Sequence, residues 1–219
     1  KLLKDQPMTL VILSDTLFKK TLQPFISWKR QKGYKVIEAY TSDPQVGNDR
    51  ESIKSYLSDL YFSPPLGYAS PSFLLIVGDV EHVPVSQVGG EITDLFYTTY
   101  DGPGDYLPEI IHGRISIKNE SELISVRDKI LEYERYLFPD PDFLNKSILI
   151  AGNDGSYAST YGNGQINYAS NYYFNEAHGI NANVFLHPEA ASLDLQIRSA
   201  IAEGAALVNY TGHGEESGW

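Results

Sequence analysis

The sequence predicts an α/β protein built as two consecutive open, mainly parallel sheets flanked by helices, the second sheet incomplete within this chain. Three observations predict it. Short apolar runs alternate with amphipathic stretches of helical length. The alternation is broken once, at the proline-containing FPDPDF (residues 138–143), and then starts again. After that break only three strand-like runs remain, few for a free-standing sheet. The expected organisation is therefore residues 1–140 as one α/β subdomain and residues 141–219 as the first part of another.

Each element has a local reason. MTLVILSD (8–15) is an apolar strand ending in a carboxylate. Residues 16–33 carry Leu17, Leu22, Phe25, Ile26 and Trp28 on an apolar side, with Gly33 as a C-terminal stop. Pro24 either kinks this helix or marks its true start. YKVIEAYT (34–41) is the next strand. NDRESIKSYLSDLYFS (48–63) is a helix with acidic residues in its first turn, ended by Pro64-Pro65. SFLLIVGDV (72–80) is the most apolar strand of this half. A βαβαβ run of this kind implies a parallel sheet covered on both faces.

The middle reads differently. DLFYTTYD (94–101) and IIHGRISI (110–117) are expected strands joined by the turn-rich GPGDYLPE (102–109). A helix follows over 119–138, with Leu123, Val126, Ile130, Tyr133 and Leu137 at helical spacing and Asn119 or Ser121 as its N-cap. Past the break come a strand at 146–154, a helix over 164–179 closed by Gly179, and a strand at 181–187. A helix over 192–204 closed by Gly204 and a last strand at 205–214 complete the chain.

Seventeen basic against 28 acidic residues give a net charge of −11, which excludes nucleic acid and anionic membrane surfaces as natural partners. With no cysteine there is neither a disulfide framework nor a thiolate metal site. No apolar run approaches the roughly 20 residues that span a bilayer, so no membrane span is expected.

Functional groups of open α/β sheets gather where strands end at their carboxyl edge. Three strands end there in a polar residue: Asp79, Asp154 and His213. A carboxylate on one imidazole nitrogen fixes the tautomer and leaves the other nitrogen for proton transfer. Gly212 and Gly214 permit close backbone approach, and a Gly214 N–H is a candidate oxyanion donor. Gly-His-Gly after a strand is equally the sequence of a plain turn, and Asp154 equally a cap. The histidines at 82, 112, 178 and 187 read as structural or surface residues. Asp101, Asp105 and Glu109 recur at spacing four in a Gly/Pro loop, either an ordinary turn or an oxygen-rich calcium site. An EF-hand is excluded, since its invariant glycine would fall at Tyr106.

Several segments together resemble the gingipain family, secreted bacterial cysteine endopeptidases with a caspase-like fold. They are FISWKRQKGYKV, LLIVGD, TDLFYTTYDGPGDYLPEIIHGR, LIAGND, NYYFNEAHG and the histidine box LVNYTGHGEESGW, in the family's order. The resemblance implies that His213 is the catalytic base, Asp154 its orienting acid and Gly214 an oxyanion donor. It also implies a structural Ca²⁺ held by Asp79, Asp101, Asp105, the Leu107 carbonyl and Glu109. Protein or peptide substrates and a secreted or cell-surface location follow from the same resemblance.

The family's nucleophilic cysteine lies on the strand after the histidine box, so the chain is expected to be an N-terminal part. Its partner would be the remaining C-terminal part of the catalytic domain. Gln165 stands where arginine-directed members place an aspartate, leaving the P1 preference open. Two other readings stay open at this level. One is a non-catalytic gingipain-like surface or processing protein that binds a protein partner and calcium. The other is an unrelated α/β binding protein.

Overall fold

The computed structural model describes residues 7–88 and 91–214. The chain divides into two compact units, with the break between Leu137 and Phe138.

In the first unit, β1 (Thr9–Ser14), β2 (Lys35–Tyr40), β3 (Pro71–Val77) and β6 (Ile111–Ile115) form one parallel sheet in the order β2-β1-β3-β6. Every residue of β1 is buried, because strands flank it on both sides and helices cover both faces. That is why its sequence runs apolar without alternation. Val11 and Leu13 face Ile53, Leu57 and Leu60 of α2 (Arg50–Phe62). Leu10 and Ile12 face Leu22, Phe25 and Ile26 of α1 (Lys19–Gln31) and Leu123 of α3 (Glu120–Glu134).

The helix starts are set by side-chain caps. Asp49 Oδ1 accepts the Ser52 N–H at 2.9 Å, and Asn119 Oδ1 accepts the Glu122 N–H at 3.0 Å. Glu122 returns its carboxylate to the Lys118 N–H at 2.7 Å. Helix α1 runs through Pro24 rather than starting at it.

The expected strand at 94–101 does not form. A short hairpin, β4 (Ser86–Val88) with β5 (Glu91–Thr93), comes first, and Leu95–Tyr97 is a 3₁₀ turn. Tyr, Phe and Thr favour strands by composition, but here their polar atoms satisfy nearby backbone instead. Thr93 Oγ1 accepts the Leu95 N–H at 3.0 Å, and Thr98 Oγ1 donates to the Leu95 carbonyl at 3.2 Å. Tyr97 is fully buried, and its hydroxyl donates to the Pro84 carbonyl at 2.5 Å. Burial pushes that phenol up to about 12.

Arg114, on β6, ties this region together. Its guanidinium grips Asp94 in a two-point contact, Nε to Oδ2 at 2.8 Å and Nη2 to Oδ1 at 2.7 Å. Nη1 also donates to the Gly78 and Val83 carbonyls at 2.7 and 3.0 Å.

In the second unit, β7 (Lys146–Ala151), β8 (Asn181–Phe185) and β9 (Leu207–Thr211) make a parallel sheet in the order β8-β7-β9. Leu149 and Ala151 pack on Ile166 of α4 (Asn163–Tyr172), while Ile148 and Ile150 pack on Ile197 of α5 (Asp194–Ala202). The helix expected over 164–179 ends at Tyr172, because Asn175 Nδ2 donates to the Ser170 and Asn171 carbonyls and closes it. Gly179, at φ +71°, instead ends a separate 3₁₀ turn, Glu176–His178. The α/β class and the parallel, helix-flanked sheets agree with the sequence reading.

Replacing Arg114 with Met leaves the Asp94 carboxylate and two carbonyls without their donor in a largely enclosed setting. Urea unfolding should show a loss of about 3 kcal/mol, in the range for breaking one side of an enclosed ion pair. An unchanged midpoint would mean that the strap carries little of the unit's stability.

Candidate active site

The register of the second sheet puts Ala151 opposite Thr211, and the Gly152 N–H donates to the Thr211 carbonyl at 2.9 Å. β7 and β9 therefore end level, side by side. The chain leaves β7 through Gly152-Asn153-Asp154 and leaves β9 through Gly212-His213-Gly214. Level exits bring together two residues 59 positions apart: Asp154 and His213.

A single carboxylate oxygen makes the contact. Asp154 Oδ2 accepts the His213 backbone N–H at 2.9 Å and lies 3.0 Å from His213 Nδ1. The carboxylate is mostly sheltered, at 21% side-chain exposure, and the imidazole is open, at 91%. The backbone bond fixes where the histidine turn sits, and the nearby carboxylate favours positive charge on the open ring. Gly214, next in the chain, is exposed.

Sequence reasoning passed over Tyr210. Its hydroxyl donates to the His213 carbonyl at 2.9 Å, and its ring also packs on the cluster of Ile148, Ile150 and Ile197. A Cβ at Gly152 would meet the hydroxyl and come within 2.6 Å of ring Cζ; a Cβ at Gly212 would lie 2.7 Å from the hydroxyl and 2.9 Å from Cζ. Neither glycine has a positive φ, so both serve for room rather than conformation. The available signal was the pair of glycines directly following two adjacent strands. Partial burial and the Asp154 charge both raise the Tyr210 phenol above its ordinary value.

The other predicted cluster lies in the first unit. One carboxylate oxygen from each of Asp101, Asp105 and Glu109 lies within 4.8 Å of the others. The loop holds them through its own backbone. Asp105 accepts the Leu107 N–H at 3.0 Å and the Asp101 N–H at 3.1 Å, and Glu109 accepts the Tyr100 N–H at 2.8 Å. The Leu107 and Asp101 N–H donors hold the Asp105 carboxyl below its ordinary value. Asp79 stands outside this group of three. It accepts the Val80 N–H and the Ser116 hydroxyl at 2.9 and 3.0 Å, with the Lys118 ammonium 3.8 Å away. The Val80 N–H and Ser116 hydroxyl bonds hold its carboxyl low as well. Leu107 is exposed, and its N–H is turned to Asp105.

Comparison with known proteins gives the chain's relatives. Residues 3–219 match the profile of peptidase family C25. The chain is 34% identical over 219 residues to Lys-gingipain of Porphyromonas gingivalis, covering 99% of this chain but only 12% of that protein. A solved structure described as a protease superposes with a TM-score of 0.86 at 34% identity, over 98% of this chain and 47% of that one. The Arg-specific cysteine proteinase gingipain R superposes at 0.78 with 22% identity, over 99% of this chain and 49% of that one, a likeness of fold. The chain thus spans about half the length of these solved relatives.

Acid should loosen the carboxylate loop in a defined order. Native Asp105 holds its proton less tightly than the unfolded chain does, so its contribution is full above the ordinary aspartate range. It is lost as pH falls through the lower native value. Hydrogen-exchange protection factors at the Asp101 and Leu107 amides should fall across that acid window while those of β1 persist. Loop protection that outlasts β1 in acid would contradict the assigned bonds.

Proposed function

The chain belongs to peptidase family C25, and we propose that it supplies the base and acid of a Cys-His-Asp endopeptidase acting on protein substrates. The observation that carries this reading is the single Asp154 oxygen shared by the backbone N–H and Nδ1 of His213. It holds the turn that presents the base and sets a carboxylate against an imidazole open to an approaching group.

The 219 residues contain no cysteine, so the thiol comes from a part of the protein beyond them. His213 Nε2 takes the thiol proton, and the thiolate attacks the scissile carbonyl carbon. Charge then develops on the carbonyl oxygen, where the Gly214 N–H is the donor this chain offers. The imidazolium returns its proton to the leaving amine as the C–N bond breaks, leaving a thioester. His213 then takes a proton from water, whose oxygen displaces the thiol. Asp154 stays ionised throughout and stabilises each imidazolium.

We assign Asp101, Asp105 and Glu109 as calcium ligands. The fit is chemical and geometric. All three donors are hard oxygens, and Ca–O bonds of about 2.3–2.6 Å set ligand oxygens at most about 5 Å apart. Three carboxylates converging within 4.8 Å repel one another unless a cation lies among them. The ion would brace the loop and take no part in the reaction. An exported bacterial peptidase is the setting in which such a site fills readily. Among the described residues, no helix is long and apolar enough to cross a membrane.

In the full-length protein, Asp154→Asn should lower kcat by roughly 10²–10⁴-fold, the usual worth of acid–base catalysis, with KM within about threefold. A raised KM with unchanged kcat would remove Asp154 from the chemistry. Calcium at a hundred times its dissociation constant should add about 2.7 kcal/mol to stability, seen as a higher Tm when calcium is returned to protein stripped with chelator and then freed of it. Glu109→Gln should remove most of that gain. A wild-type Tm indifferent to calcium would overturn the ligand assignment.

A further inference from the structure

We propose that Tyr210 is a positioning residue for the His213–Asp154 pair, acting through the backbone of the histidine turn. For its effect on turnover this rests on the peptidase reading; for its effect on the imidazole it does not. Tyr210 lies three residues before His213, and its hydroxyl donates to the His213 carbonyl at 2.9 Å. That carbonyl belongs to the peptide unit whose N–H is Gly214's. Holding its oxygen therefore sets the direction of the adjoining N–H, since the unit is planar.

The phenol is itself held. Its ring is anchored in the apolar cluster of Ile148, Ile150 and Ile197, and its tip enters a slot between the Gly152 and Gly212 backbones. At either glycine a Cβ would come within 3 Å of that tip. Both exits, the one that carries Asp154 and the one that carries His213, thus close around the same side chain. A single ring fixes the distance between acid and base as well as the turn that presents the base.

Two readouts test this in the full-length protein. Tyr210→Phe keeps the ring and removes only the hydroxyl. The imidazole of His213, followed by NMR with labelled histidine, should titrate at lower pH in the variant, because a displaced imidazolium loses part of its carboxylate contact. In kinetics, kcat should fall by about tenfold, the scale of a sub-ångström misplacement, with KM within twofold. The acidic limb of kcat/KM, set by the free base, should move to lower pH. Gly152→Ala should lower the His213 titration in the same way, and adding it to Tyr210→Phe should give less than the sum of the two, as for groups acting in one unit.

An unshifted His213 titration in Tyr210→Phe, with the Tm of the wild type, would overturn the inference whatever the enzyme does. A shifted titration with unchanged kcat would keep the positioning role and count against the peptidase assignment instead.

Discussion

The second unit depends on one constraint, the level parallel register of two neighbouring strands. Parallel strands end at the same edge, and a one-residue slip turns every side chain to the opposite face. With Ala151 opposite Thr211, the apolar residues of β7 meet helices on both faces and Tyr210 of β9 joins the cluster of Ile148, Ile150 and Ile197. The residues just past each strand then emerge beside one another. No long-range electrostatic attraction is needed to bring Asp154 to His213. The core fixes the register, the register fixes the exits, and the carboxylate only completes the last ångström.

The gross architecture was legible because parallel sheets write themselves as uninterrupted apolar runs. β1 throughout, β7 past its first residue and most of β3 are buried in this way, and all were evident from residue type alone. Asp154 and His213 were legible for a related reason: each is among the first polar side chains past such a run. What escaped was whatever is decided by short-range side-chain bonds. Thr93, Thr98 and Tyr97 turn a strand-like composition into a 3₁₀ turn. Asn175 ends α4 before its expected glycine. Tyr210 escaped for a third reason. An aromatic residue in a strand looks like core, and its polar tip is visible only once both glycines are set beside it.

The two candidate clusters solve opposite electrostatic problems. At Asp154 and His213 a sheltered carboxylate sits against an exposed imidazole. At Asp101, Asp105 and Glu109 three carboxylates converge, and the Asp101, Leu107 and Tyr100 N–H groups donate to two of them. On the proposed reading the first arrangement serves proton transfer and the second a divalent cation. Asp79, which accepts from Val80 and Ser116 through one oxygen, lies outside the group of three.

The slot around Tyr210 also constrains heredity. Gly152, Tyr210 and Gly212 exclude one another's alternatives: neither glycine can gain a side chain while the phenol occupies the gap. The phenol, once lost, leaves two glycines with no reason to stay glycine. Codons 58 positions apart in the reading frame are therefore bound into one inherited unit.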